Sequence, residues 1–275
     1  MPTVQSLKKK LQVIRSTQKL TRAMKTASTV KFSRLNGIYA EYEKYENQYS
    51  RLYGAYRKEF NSLFGSSSVN APCCYVVMTS NKGMCGSFNT ELLNYFQNMR
   101  EENALIISCG KKAKDFFDRK GIEVHKSVVF DDIPSFGQVK ELFSYICSLM
   151  NEGRISSVKT VYPEYINMIK QSPVCKELFS AEDGESGGEE PLFVPDRETV
   201  IRNTAEKIFL CSFYKRVLET SLGAQAATLT AMRSAYDTAC EYSAKLETEM
   251  NRKRQSQVTA DVIEISSEFS TKGDI

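Results

Sequence analysis

Proline is absent between Pro2 and Pro72 and again after Pro195, so more than half of this 275-residue chain lies in two terminal stretches without the strongest helix breaker. A proline inside a helix costs about 3 kcal/mol, so such stretches permit very long helices without demanding them. Glycine is almost as sparse there. Only Gly37 and Gly54 interrupt the first stretch before Gly65, and only Gly223 interrupts the last before Gly273. Pro134, Pro163, Pro173 and Pro191 all fall in between. The chain has material for one large or two modest domains. The proline map divides it into an N-terminal helix over 1–63, a globular region over 72–195 and a C-terminal helix over 199–270.

Both terminal stretches carry a seam. From Leu7, every seventh residue is Ile14, Thr21, Ser28, Leu35, Tyr42, Tyr49 and Tyr56. The companion row is Leu11, Gln18, Lys25, Phe32, Tyr39, Glu46, Tyr53 and Phe60, which completes a 3–4 repeat, apolar at both ends and polar around Gln18 to Ser28. A helix from Val4 to Leu63 at 1.5 Å per residue is roughly 90 Å long, too long to hide inside a globule. In the last stretch Thr199 is a candidate helix start. Leu218, Leu222, Gln225, Leu229, Met232, Tyr236, Ala239, Ser243, Leu246 and Met250 then alternate in steps of four and three. The stripe reappears one place out of register at Val258, Val262 and Ile265, as at a stutter. Ala224, Ala226, Ala227, Ala231 and Ala235 let a partner helix approach closely. The two seams could each zip to a second chain. The expected arrangement is an antiparallel coiled coil within one chain, where each seam meets its partner at high effective concentration.

The charge pattern is local. The net charge of +4 is too mild to imply nucleic acid or an anionic membrane. Yet Lys8, Lys9, Lys10, Arg15, Lys19, Arg22, Lys25, Lys31 and Arg34 all precede the first acidic residue, Glu41, and a second cluster, Arg252-Lys253-Arg254, lies near the other end. In an antiparallel hairpin the two clusters share one tip, which calls for acidic surroundings. Nucleic acid is the generic alternative, but no aromatics interleave those lysines to stack on bases. A solvated basic face is the default for any charge run.

Strand and helix signals alternate in the middle. Cys74–Thr79, Ala104–Cys109, Ile122–Phe130 and Val158–Tyr162 read as strands; Thr90–Met99, Lys111–Lys120 and Gln138–Met150 read as helices. This alternation predicts an α/β domain, Rossmann-like, with a mostly parallel sheet covered by helices. Ser180–Glu190, rich in acidic residues and glycine, reads as an exposed loop.

Catalytic signals fail on spacing. The glycine-bearing loop Asn81-Lys82-Gly83-Met84-Cys85-Gly86 follows the first strand, where phosphates often bind, but neither GxGxxG nor GxxxxGK[ST] is present. Cys85 near a helix start could be a nucleophile, yet the single histidine, His125, is forty residues away on a predicted strand. Ser80 lacks the glycines of a nucleophile elbow. The eight cysteines, including adjacent Cys73 and Cys74, show neither a disulfide framework nor CxxC spacing and read as reduced, mostly buried thiols. No apolar run approaches the roughly 18–20 residues that span a bilayer. The helical pattern begins almost at Met1, which leaves no room for a leader and leads to the expectation of a soluble protein made where it works.

Four segments together resemble the gamma subunits of F-type ATP synthases, over nearly the whole chain. They are Gln18-Lys19-Leu20-Thr21-Arg22-Ala23-Met24-Lys25, Asn81–Asn89, Thr230-Ala231-Met232-Arg233-Ser234-Ala235 and Asn251–Thr259. The chain departs from the family's usual pattern at Asn81 and Met84, usually Asp and Leu, and at Ala224 and Thr228, usually Glu and Arg. The resemblance implies a non-catalytic shaft without cofactors or metal. Its basic tip (Lys8, Lys9, Lys10, Arg15, Lys19, Arg22, Arg252, Lys253) would stand in a ring of three alpha and three beta subunits. Met24, Lys25, Arg254, Gln255 and Thr259 match family positions that touch the beta subunits. The remaining implied partners are the epsilon subunit and the membrane c-ring, with no nucleic acid and with membrane contact only through the complex. The implied location is peripheral, on the cytoplasmic face of a bacterial plasma membrane.

Overall fold

The computed structural model describes residues 3–64, 71–179 and 196–272. In chain order these form α1 (Val4–Phe64), β1 (Cys73–Met78), α2 (Phe88–Met99), β2 (Leu105–Cys109), α3 (Lys111–Lys120), β3 (Lys126–Val128), α4 (Phe136–Asn151), β4 (Ser157–Tyr165), β5 (Gln171–Glu177) and α5 (Arg197–Lys272). They divide into two compact units, one of Met1–Ala27 with Ala231–Ile275 and the other of Ser28–Thr230.

The second unit is built on a sheet of order β3-β2-β1-β4-β5. The first four strands are parallel, and β5 returns antiparallel to β4. Strand β1 is buried along its whole length because both faces are covered, as its continuous apolar run requires. Its alternate residues Tyr75 and Val77 pack under Leu92, Leu93 and Phe96 of α2 and Ala113 and Phe117 of α3. Cys74, Val76 and Met78 face the opposite way, into a larger core with α4, with Leu35 of α1 and with the stretch of α5 from Ile201 to Leu222.

Local signals explain most boundaries. Thr3 caps α1, its hydroxyl accepting from the Ser6 N–H at 3.3 Å. A reciprocal Ser135–Gln138 capping box starts α4. Gly121, left-handed at φ 64, closes α3, where the Ile122 N–H returns to the Phe117 carbonyl.

Two expectations are corrected, and one strand was missed. The third strand is only Lys126–Val128, because the C-terminal cap of α3 occupies the start of the expected Ile122–Phe130 run. Strand β5 was not anticipated; its run Gln171–Glu177 holds Pro173 and alternates only weakly, as an edge strand can. Helix α5 is capped by Asp196, not Thr199, since the Asp196 carboxylate accepts from the Thr199 N–H at 2.8 Å. The expected loop Ser180–Glu190 lies outside the described residues, as do the side chains of Tyr49, Tyr53, Tyr56 and Phe60.

Candidate functional site

The first unit is a two-helix assembly. Leu7 and Leu11 of α1 bury against Leu246 of α5, with Ile14 and Met250 packed alongside. Gln18 donates to the Ala239 carbonyl at 3.1 Å, and Arg15 pairs with Glu247 at 2.9 Å. Numbers that rise along α1 therefore meet numbers that fall along α5, and the pair is antiparallel. The polar middle of the seam stays satisfied: Thr21, 5% exposed, returns its hydroxyl to the Thr17 carbonyl at 2.9 Å. Seam positions Met232, Ala239, Ser243 and Leu246 are all buried.

Around this pair the basic residues face outward. Lys8, Lys9, Lys10, Lys19, Arg22 and Arg252 are exposed, as is Arg15, whose ion pair with Glu247 is correspondingly weak. Lys253 is half-buried. Both basic clusters lie toward the same end of the pair, where Leu7 and Met250 meet.

The five singled-out contact positions lie in two groups. Met24 and Lys25 are half-buried, whereas Arg254, Gln255 and Thr259 are exposed, with the Thr259 hydroxyl donating to the Gln255 carbonyl at 2.9 Å. Lys25 lies seven residues beyond Gln18 in one direction, and Arg254 fifteen beyond Ala239 in the other. At 1.5 Å per residue the two groups stand about 30 Å apart along the pair.

A further correction concerns the shifted stripe. From Arg254 to Ser266 every residue of α5 is exposed, including Val258, Val262, Ile263 and Ile265 at 55–63%. These residues do not continue the seam: Leu7 already meets Met250, and α1 begins at Val4, less than one turn further along the pair. Another apolar row was missed. Val13 and Leu20, seven residues apart, are 63% and 55% exposed on the outer face of α1. The heptad spacing that revealed the seam also marks this row.

In the second unit, the crevice at the carboxyl ends of the parallel strands is the usual ligand position of such sheets. Here the chain's own side chains fill it. Asn81 donates to the Phe130 carbonyl at 2.6 Å and accepts from the Lys111 N–H at 3.3 Å. Asp132 pairs with Lys82 at 2.7 Å and with Lys31. Burial raises the Asp132 carboxyl, but these two lysines outweigh it and hold it below the ordinary carboxylate range. Cys85 is buried, receives the Asn89 amide at 3.1 Å and packs with Phe88 against Ala224 of α5. Gly223 lets that ring approach, since a Cβ there would lie 3.1 Å from the Phe88 side chain. The glycine-bearing loop therefore anchors the sheet to the small-residue stretch of α5. His125 is engaged elsewhere, its Nε2 2.8 Å from the Tyr145 hydroxyl.

An open cleft of about 510 Å³ lies between α1, α4 and α5, walled by Tyr42, Tyr45, Phe136, Lys140, Lys207 and Cys211. Burial pushes the Cys211 thiol up, so it offers no thiolate there. Among the described residues no group of three or more His, Cys, Asp or Glu side chains is placed to hold a metal ion, and no helix is long and apolar enough to cross a membrane.

The sequence pattern of the family described as ATP synthase matches residues 3–270. The chain is 29% identical to the ATP synthase gamma chain of Pelotomaculum thermopropionicum and 30% identical to that of Heliobacterium modesticaldum, covering 96% of this chain and 97% of each relative. Its fold resembles a chain in the rotor of Euglena gracilis mitochondrial ATP synthase, with a TM-score of 0.69 at 19% identity over 93% of this chain and 98% of that one. It also resembles a chain in the central stalk and c-ring structure of the Tetrahymena thermophila enzyme, with a TM-score of 0.59 at 18% identity over 78% and 99%.

Proposed function

Because the chain belongs to the ATP synthase family, among its gamma chains, we propose that it is the central rotor shaft of an F-type ATP synthase and carries no catalytic site of its own. The observation that carries this reading is the antiparallel α1–α5 pair, sealed along its seam, cationic on its outside and running on into a stretch of α5 with exposed apolar side chains. A shaft needs internal stiffness and an outer surface that touches without gripping, and those features supply both.

In this reading the helical pair stands within a ring of three alpha and three beta subunits that hold the nucleotides, and the globular unit rests with the epsilon subunit on the membrane c-ring. Proton or sodium flow turns the c-ring. The off-centre shaft then offers each beta subunit a different face in turn, which shifts each site between conformations of different nucleotide affinity. Hydrolysis runs the same coupling backward. Met24 and Lys25 form one contact band, and Arg254, Gln255 and Thr259 form a second, so the stator is touched at two levels. Lys8, Lys9, Lys10, Arg15, Lys19, Arg22, Arg252 and Lys253 face acidic loops of the ring. The bacterial relatives support a place on the cytoplasmic face of a plasma membrane.

Two measurements test this. An affinity-tagged full-length chain is expected to bring down ATPase subunits in its native host; isolation as a homodimer without them would overturn the reading. Deleting residues 258–275 is expected to leave the globular unit folded and lower coupled ATP synthesis severalfold; undiminished synthesis would argue against the role given to this segment. Exposed charges act diffusely and are screened by salt. Arg254→Ala alone should therefore change synthesis less than twofold, whereas neutralising Lys8, Lys9, Lys10 and Arg252 together should lower it more than any single change. Equal effects would indicate one specific ion pair instead of a diffuse cationic surface.

A further inference from the structure

Within the globular unit, α1, α5 and the β4–β5 hairpin meet around a carboxylate that is almost sealed from solvent. Glu219 of α5 is 6% exposed and accepts a hydrogen bond from the Tyr39 hydroxyl of α1 at 2.8 Å. One turn earlier on α5, Lys215 pairs with Glu46 of α1. Tyr162 and Glu164 come from β4 and Lys176 from β5, with Lys176 and Glu164 paired at 3.0 Å. Arg216, 8% exposed, donates to the Thr160 hydroxyl at 2.6 Å and the Glu177 carbonyl at 3.1 Å. Glu43 of α1 adds a further negative charge beside Tyr39. Lys215 and Lys176 thus already face carboxylates, and Arg216 is engaged by the strands.

We propose that Glu219 is a proton-operated latch between α1 and α5, which takes up one proton from solvent and holds the two helices more firmly once it is neutral. In the charged form the carboxylate accepts from Tyr39 but has lost most of its hydration, a cost that a single phenolic hydrogen bond does not cancel. In the neutral form Tyr39 can still donate to the carbonyl oxygen. The added O–H becomes a donor in a wall that also holds the carboxylates of Glu164 and Glu46. The Lys215–Glu46 and Lys176–Glu164 pairs need not break, so the proton simply removes one negative charge from a crowded acidic wall.

Titration follows the same geometry. Burial pushes Glu219 up to about 7; Glu164 and Glu46 add to the rise, while the Tyr39 hydrogen bond and Lys215 oppose it. An unfolded chain would release this proton near the ordinary value of 4.5. Between those two values the folded chain binds more protons than the unfolded one, so this contribution to stability is lost as pH rises from about 4.5 to about 7 and is level above that. Acidification closes the latch and neutral-to-alkaline conditions loosen it.

The inference concerns the globular unit alone and does not depend on the rotor reading. Hydrogen exchange of the full-length chain, followed by mass spectrometry from pH 5 to 8 and corrected for intrinsic exchange, tests it. Opening of the segments that carry Tyr39 and Glu219 is expected to rise by up to roughly tenfold per pH unit between about pH 5 and 7 and then level off. Glu219→Gln should abolish that slope. Tyr39→Phe removes a bond that favours the charged form, so it should keep the transition and move it to higher pH. A wild-type profile flat across the window, a Glu219→Gln profile that keeps the slope, or a Tyr39→Phe midpoint that stays or falls would each overturn the latch. If Glu219→Gln does not fold, the wild-type profile and the Tyr39→Phe midpoint decide the matter alone.

Discussion

Replacing Phe213 with alanine is expected to remove about 3–5 kcal/mol from the stability of the globular unit. This ring is fully buried on α5 at the centre of the larger core. Its centroid lies 6.1 Å from that of Phe143 on α4, which in turn lies 6.2 Å from Phe179, and Phe179 lies 5.1 Å from Phe209 on α5. Phe213 therefore belongs to an aromatic chain that seats α5 against α4 and the sheet, and truncation leaves a cavity among rigid rings that cannot collapse cheaply. Phe213→Leu keeps most of the volume and should cost much less. Thermal unfolding followed by tyrosine fluorescence would read the difference, since the chain has no tryptophan. At about 2–4 °C per kcal/mol for a unit of this size, the alanine variant should melt on the order of 10 °C lower. A loss below about 1 kcal/mol would mean that α5 does not depend on this core for its seat.

How much of this was legible in the sequence follows from how each element gets its stability. The seam of α1 was legible because a helix that buries one stripe must repeat it: Leu7, Leu11, Thr21, Ser28 and Leu35 are all buried. Strands β1 and β2, covered on both faces, appear as continuous apolar runs. Strand β5 did not, because an edge strand paired on one side tolerates Pro173 and half-buried polar positions. The shifted stripe at Val258, Val262 and Ile265 shows the limit of periodicity, which reports that a face is apolar but not what covers it. The five proposed contact positions were visible only as motif matches, because no local pattern distinguishes Arg254 or Thr259 from any other exposed helix residue. Glu219 was invisible for the opposite reason. In sequence it is one more glutamate on a long helix, and only the folded strands and Tyr39 make its position unusual.

The second large effect is expected at Gly110, where β2 turns into α3. Its backbone sits at φ 99 and ψ 149, a region essentially closed to residues with a side chain. A Cβ there would stand 2.3 Å from the Thr79 carbonyl oxygen and 2.8 Å from the Thr79 hydroxyl oxygen. Thr79 cannot step aside cheaply. Its N–H donates to the Cys109 carbonyl at 2.8 Å and its hydroxyl accepts from the Ala113 N–H at 2.9 Å, so moving it would open the end of β1 and the first turn of α3 together. Gly110→Ala should therefore cost more than about 3 kcal/mol, the strain of the dihedral and the backbone collision acting at once. Gly121→Ala is the matched control. That glycine is left-handed at φ 64 but a Cβ would meet nothing within 4 Å, so only the conformational cost of about 1–2 kcal/mol applies. Both substitutions make a similar change to the freedom of the unfolded chain, so the difference between them isolates the Thr79 contact. Urea unfolding of the two variants should place Gly110→Ala clearly below Gly121→Ala. Equal midpoints would mean that the β2–α3 turn yields where the geometry says it is pinned.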